Sequence, residues 1–431
     1  MSTTSRVVIT GSGAVCGAGL TVDAIWDAVV CGRPAIKEFS AWDASGWPAR
    51  MAAEVAGVDN RTLVEDRKLH KLVSRSDLFG LYAAGVAIQS SGVLRHRETL
   101  AAEEIPTFND RSGVFTGSGG GNYCSNYDFF PLLTAAAGDL QKFGQDLNEN
   151  VNPMWLLRIL PNNVVCHVGI RYNFKGSNAC ITNQCVGGAL AVSEAADALR
   201  AGDADRAVAV GHDTPFEPET VFHYHRLGLM SPDTLRPFGR ERRGTVFGEG
   251  AAGVLLEKLS DAQQRDATIL GEFLGSGCTT EATGVLDVRR DGDGLARAIE
   301  LALANAGVSP SAVGMIVAHG NGTTESDASE AQALRCVFGE ALPPVTGFKW
   351  VYGHLIAASA TLDLVMALHA LRHGIVPGIG TLDELDPELE PLPVSSSPQR
   401  SRSDIALILS RGFGGMNVAL VVRAAGLASI Q

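Results

Sequence analysis

The chain has 431 residues, 45% hydrophobic and 19% charged, enough to bury a large core without metals or disulfides and too apolar for a disordered linker protein. Its length matches about three average domains, although some architectures of this size fold as one. The net charge of −12, from 35 basic and 47 acidic residues with no long basic run, excludes an extended nucleic-acid footprint.

In chain order, short apolar runs alternate with Ala-rich helical patterns, which predicts α/β architecture. Val7 to Thr10 reads as a strand, followed by a glycine turn, Gly11-Ser12-Gly13-Ala14, and a helix starting near Thr21. Leu69 to Ser91 reads as a helix, and Arg111 to Thr116 as a strand ending in the glycines of 117–121. Asn122 to Asn163 reads as long and irregular, and insertions of that length are usually functional. A helix is expected from Ala179 to Arg200, closed by Ala201-Gly202, then strands at Ala207 to Val210 and Gly250 to Glu257.

The grammar then restarts: a strand at Thr268 to Phe273, a helix at Gly294 to Ala306, and a strand at Gly314 to Ala318 leading into His319-Gly320. Helices follow at Ser326 to Phe338 and Ser359 to His373. Two late strands, Asp404 to Ser410 and Val418 to Val422, could pair as a hairpin. This weak internal symmetry divides the chain into halves 1–257 and 258–431, and Asp383 to Ser403 reads as a surface loop.

Eight cysteines, with no C-x-x-C pair, are too sparse for a disulfide scaffold and fit reduced thiols. No apolar run reaches a membrane span, and Met1 to Arg6 shows no charged-then-apolar signal pattern. The expectation is a soluble cytoplasmic protein with neither a nucleic-acid nor a membrane partner.

Four places could carry chemistry. Cys180 precedes the expected helix, where unpaired N–H groups and the helix dipole favour thiolate; a buried structural cysteine is the plainer alternative. Cys185, five residues on, competes with it but would sit deeper in that helix. His319 stands at the carboxyl end of a strand and is followed by two nearby glycines, where open α/β sheets place ligands. Lys349 and His354 precede a small-residue helix, and Gly412-Phe413-Gly414-Gly415 would let backbone N–H groups approach a ligand closely. Alone, each has a bland structural reading: a capped histidine, a surface lysine, a hairpin turn.

Their order is more specific. Cys180, then Ala318-His319-Gly320 with Asp327 and Glu330, then Lys349 with Gly353-His354, then Gly412 to Asn417 resemble the β-ketoacyl-acyl-carrier-protein synthases of the thiolase-like superfamily. Arg6 to Gly11, Arg236-Pro237-Phe238 and Gly248 to Ala251 resemble further motifs of that family, so the likeness covers nearly the whole chain. It implies a thiolase-like fold of two similar halves in α-β-α-β-α layers, normally dimeric. By resemblance, Cys180 would be the nucleophile holding the acyl group. His319 and His354 would bind the extender's thioester carbonyl and promote decarboxylation, and Lys349 would act electrostatically. Backbone N–H groups of Cys180 and Phe413 would form the oxyanion hole, with Phe413 as gate. Asn321 and Thr323, with Gly414, would face the substrate's pantetheine arm.

The same resemblance implies no cofactor and no metal; substrates would ride on the phosphopantetheine of an acyl carrier protein, docked by a local basic patch. Departures from the family pattern, among them Asn178 before Cys180, Asn183-Gln184-Cys185 after it, Trp350 to Tyr352, and Leu409, Arg411 and Met416 around the gate, point to a specialised-metabolite branch such as polyketide or polyene assembly. Two other readings are a non-decarboxylating acyltransferase, for which one base suffices, and a chain-length-factor-like partner subunit. The apolar supply of Phe129, Phe130, Leu132, Leu133, Met154, Trp155 and Leu156 suggests a homodimer interface, or a heterodimer with such a homologue.

Overall fold

The computed structural model describes residues 5–120 and 126–426. Its frame is ten strands: β1 (Val7–Cys16), β2 (Ser112–Ser118), β3 (Asn178–Ile181), β4 (Arg206–Asp213), β5 (Gly250–Lys258), β6 (Gly271–Thr280), β7 (Met315–Val317), β8 (Val345–Thr346), β9 (Ile405–Gly412) and β10 (Met416–Ala424). Across the sheet they run β3-β2-β4-β5-β1, then β6-β10-β9-β7-β8. The second set repeats the first strand for strand. In each, four strands run in one sense and one, β5 or β10, runs against them. The two sets join where β1 pairs with β6, from Val7 opposite Phe273 to Ile9 opposite Gly271.

The principal helices are α1 (Val22–Val30), α2 (Arg75–Ser90), α3 (Asn126–Ala136), α4 (Leu140–Asn150), α5 (Trp155–Ile159), α6 (Asn163–Tyr172), α7 (Gly187–Ala201), α8 (Asp293–Ala306), α9 (Thr324–Phe338) and α10 (Ser359–His373). Helix α2 covers β1, β4 and β5 on one outer face, and α8 covers β6 and β10 on the other. Between the two sets lie α7 and α10, in contact with each other and with strands of both halves. The result is the five-layer α-β-α-β-α arrangement of a thiolase-like fold. Helix α10 is buried on nearly every side, as a central-layer helix must be. Helix α7 uses Ala189, Ala191, Ala195, Ala196 and Ala198 to fit between sheets.

Local signals explain most boundaries. Thr21 caps α1 by accepting the Ala24 N–H, a capping box of Ser74 and Asp77 starts α2, and Gly202 closes α7 in the left-handed region. Three expectations need correction. The helix expected from Ala179 begins at Gly187, because residues 178–181 find a parallel partner in Val114 to Gly117 and become β3. The glycine turn at 11–14 is instead part of β1, bulged between Ile9 and Gly11; its small residues are needed because α2 lies against it, and a Cβ on Gly11 would meet the Ala87 carbonyl oxygen at 2.1 Å. The supposedly irregular 122–163 stretch holds α3, α4 and α5; Gly121, Asn122 and Tyr123 lie outside the described residues. No helix among the described residues is long and apolar enough to cross a membrane.

One close approach sets the position of α7. A Cβ on Gly117, in β2, would lie 2.1 Å from the Gly187 carbonyl carbon and 2.3 Å from the Gly188 nitrogen. Both obstacles are backbone and cannot swing aside. Gly117→Ala is expected to lower unfolding free energy by about 2–3 kcal/mol or more, read from the denaturation midpoint; a shift within about 0.5 kcal/mol would disprove this packing.

Candidate active site

Cys185 lies in a single 3-10 turn, Gln184–Val186, just before α7. Gln184 has φ 49°, a left-handed conformation uncommon for a residue with a side chain. The turn is repeated by symmetry in the second half: Ile356 has φ 48° and opens the 3-10 turn Ile356–Ala358 before α10. Each half thus aims the segment before its central helix at the junction between halves. Cys185 comes from the first, His354 from the second.

A cavity of about 100 Å³ occupies that junction, lined by Cys185, Phe247, His319, His354, Ile356 and Phe413 among others. The His319 and His354 rings meet edge to face with centroids 5.3 Å apart. His354 stacks on Phe247 at 5.9 Å, and Phe247 on Tyr224 at 4.3 Å. Phe413 stacks on Tyr224 at 6.0 Å. The Gly412–Phe413 segment runs beside the cysteine: Ser410 Oγ donates to the Cys185 carbonyl at 3.1 Å, and a Cβ on Gly412 would be 3.5 Å from Cys185 Cβ.

Each histidine is held by its Nδ1. The Arg411 backbone N–H donates to His319 Nδ1 at 3.3 Å, and the Ile356 N–H donates to His354 Nδ1 at 3.3 Å, with Ser359 Oγ 3.0 Å away. A ring nitrogen that accepts from a backbone N–H carries no proton, so the remaining hydrogen sits on Nε2 of each ring. Burial lowers both histidines well below the ordinary range; Lys349 adds to this at both, and His354 and Arg411 add to it at His319. Two neutral N–H donors result. The His319-Gly320 loop is fastened by Glu330, which accepts the two backbone N–H groups at 2.7 and 2.9 Å.

Lys349 stands behind the cavity, 1% exposed, donating to Asp363 at 3.0 Å. It reaches His319, His354 and Cys185 through its charge. Burial pushes the Cys185 thiol up to about 12; Asp213 adds to the rise, and Lys349 with the residue's own N–H opposes it. The resting thiol is therefore protonated, and it would have to give up that proton to act as a nucleophile. Asn321 and Thr323 line the cavity, with Asn321 Oδ1 accepting from the Thr323 N–H and hydroxyl at 3.0 and 2.8 Å. Gly414 is exposed and tied to Val285 by its N–H.

Cys180 is elsewhere. It lies on β3, half-buried, with Sγ 3.1 Å from the Pro161 carbonyl and Thr116 as a second partner, and it is not among the cavity-lining residues. The premise for it, a position at a helix start, fails because that helix begins seven residues later, at Gly187. Burial raises its thiol too. The signal that singles out Cys185 is present in the sequence: Gly187-Gly188 follow it after Val186 alone, small enough for β2 and the second half to close on the helix start. Sequence reasoning also passed over the Arg411 side chain as a binder of Glu281, Asn417 and Ser329 at 2.6 to 3.1 Å.

A buried thiol and two neutral imidazole donors lining one cavity are the groups that thiol-dependent acyl transfer calls for. The sequence comparisons agree. Residues 4–262 match the family model "Beta-ketoacyl synthase, N-terminal domain" and residues 270–383 match "Beta-ketoacyl synthase, C-terminal domain". The chain belongs to the β-ketoacyl synthase family. It is 30% identical over 428 residues to 3-oxoacyl-[acyl-carrier-protein] synthase 2 of Coxiella burnetii, covering 97% of this chain and 98% of that one. It is 29% identical over 423 residues to nodulation protein E of Rhizobium sp. (strain N33), covering 97% and 99%. The solved ishigamide ketosynthase/chain length factor superposes with a TM-score of 0.85 at 27% identity, over 98% of this chain and 100% of that one.

Proposed function

We propose that this protein is a β-ketoacyl-acyl-carrier-protein synthase whose nucleophile is Cys185. The observation that carries the reading is the shared cavity: Cys185 faces both neutral histidines, which Cys180 does not. In the first step the Cys185 sulfur attacks an acyl thioester; a new S–C bond forms, the carrier thiol leaves, and the thiol proton passes to it. In the second, the extender's carboxylate leaves as carbon dioxide. The electron pair moves onto the thioester oxygen, where the Nε2–H groups of His319 and His354 stabilise the enolate. Its carbon then attacks the Cys185 thioester, backbone N–H groups of Cys185 and Phe413 receive the oxyanion, and the thiolate departs.

The two histidines favour condensation over simple acyl transfer, which needs one base, and a retained cysteine speaks against a chain-length-factor role. Substrates would be carried on phosphopantetheine, with Asn321, Thr323 and the Gly414 loop at the arm. The half 1–257 brings the nucleophile, and 258–431 the histidines and lysine. Phe130, Leu133, Met154 and Leu156 stay exposed, and β3 ends the sheet with an open edge; a second copy of the chain would cover both.

The test is acyl mapping. After incubation with acyl-carrier thioester, fragmentation of the tryptic peptide 176–200 should place the acyl group on Cys185, and malonyl-carrier should then release carbon dioxide with a two-carbon-longer product. Alkylation would be a poor substitute, since Cys31, Cys166, Cys278 and Cys336 are exposed and compete. Acyl label on Cys180, or acylation never followed by carbon dioxide release, would sink the reading.

A further inference from the structure

Behind the cavity lies a closed polar group that the chemistry above does not use in full. The short helix Lys349–Tyr352 brings two side chains one turn apart, and α10 supplies Asp363 between them. Lys349, Tyr352 and Asp363 are 1%, 0% and 0% exposed. Lys349 Nζ donates to Asp363 Oδ2 at 3.0 Å, and Tyr352 Oη donates to Oδ1 at 2.5 Å. One carboxylate is therefore divided between an ammonium and a phenol.

We propose that Tyr352 is a positioning residue for the condensation: by occupying one oxygen of Asp363, its phenol keeps that carboxylate from fully offsetting Lys349, so that the ammonium's field reaches His319 and His354. The inference rests on the proposed reading of those histidines. A hydrogen bond to a carboxylate drains charge from it, and at these depths little water intervenes to screen what remains. The other groups facing the site come from several elements. His319 meets Lys349, His354 and Arg411, with Glu330 on its backbone. His354 meets Lys349 and the Ser359 hydroxyl. Cys185 meets Lys349 and Asp213, Glu330 meets Lys349 and Arg411, and Tyr352 meets Asp363 and the Cys16 thiol. Among these, the phenol is the group that touches the counter-charge of Lys349 without bearing a charge itself.

The sign follows from the histidines. Their Nδ1 atoms accept from backbone N–H groups, so protonation there breaks the arrangement, and decarboxylation fails as pH falls through the histidine range. Lys349 holds that limb low. In Tyr352→Phe the carboxylate is freed to offset Lys349, the histidines bind protons more readily, and the acid limb moves up.

The experiment is the pH profile of malonyl-thioester decarboxylation by full-length wild type and Tyr352→Phe, a change that keeps the ring and removes one oxygen. The acid limb should rise by about half a pH unit, a threefold change in proton affinity. In Asp363→Asn, if folded by circular dichroism, the limb should fall instead, and adding Tyr352→Phe should then move it no further. A lower rate with an unmoved limb, or a limb moving down in Tyr352→Phe, would overturn the proposal and leave the phenol a structural group. Absence of decarboxylation in the wild type would instead overturn the functional reading on which it rests.

Discussion

Cys185→Ala is expected to lose covalent acylation completely and condensation by on the order of 10³-fold or more, the loss that follows when a nucleophile is removed from a unit that works together. Cys180→Ala should keep both within about twofold, as a substitution outside the machinery does. The two residues are five apart and both are cysteines, so the pair is a controlled contrast. It separates a thiol facing His319 and His354 from one on β3 whose Sγ rests on the Pro161 carbonyl. Rates of acyl-enzyme formation by intact mass and of product by chromatography measure it. Full condensation in Cys185→Ala, or collapse in folded Cys180→Ala, would reverse the assignment.

The second large effect separates the steps. His319→Ala and His354→Ala should each slow carbon dioxide release by about 10²–10³-fold, the range for removing one donor from a preorganised oxyanion site. Acylation of Cys185 should fall by less than about tenfold, because its oxyanion is received by the backbone N–H groups of Cys185 and Phe413 and not by the two imidazoles. The geometry gives the reason for both replacements to matter: the rings stand edge to face at 5.3 Å, each with Nδ1 occupied by a backbone N–H, so neither can substitute for the other's Nε2–H. The checking measurements are label release from [carboxyl-labelled] malonyl thioester and the mass of the acyl-enzyme, taken on the same preparation. Equal losses in the two steps would point to simple acyl transfer or to a structural role.

Much of this was legible before folding. The alternation of apolar runs and Ala-rich stretches gave the α/β class, because strand and helix periods leave different marks. The restart in the second half corresponds to strands β6 to β10, which repeat β1 to β5 in order and sense. His319 and Lys349 with His354 stood out because glycines and small residues cluster around them. The long helix was legible in its body and its Gly202 stop. Its start was not, since Ile181, Thr182 and Asn183 interrupt the helical pattern without a cap that would mark Gly187.

What the sequence alone determined, then, was the set of elements and the residue types able to do this chemistry. The tertiary structure decided which cysteine shares a cavity with the histidines. Residues 178–181 could extend a helix or pair as a strand, and local preference does not choose between these. The free edge of β2 offers hydrogen bonds to Asn178–Ile181, and the two halves close only if α7 starts at the glycines that fit against Gly117. Those are contacts between segments tens to hundreds of residues apart. They turn Cys180 onto the sheet's edge and leave Cys185 at the junction, where a chain distant in sequence brings the histidines and the lysine.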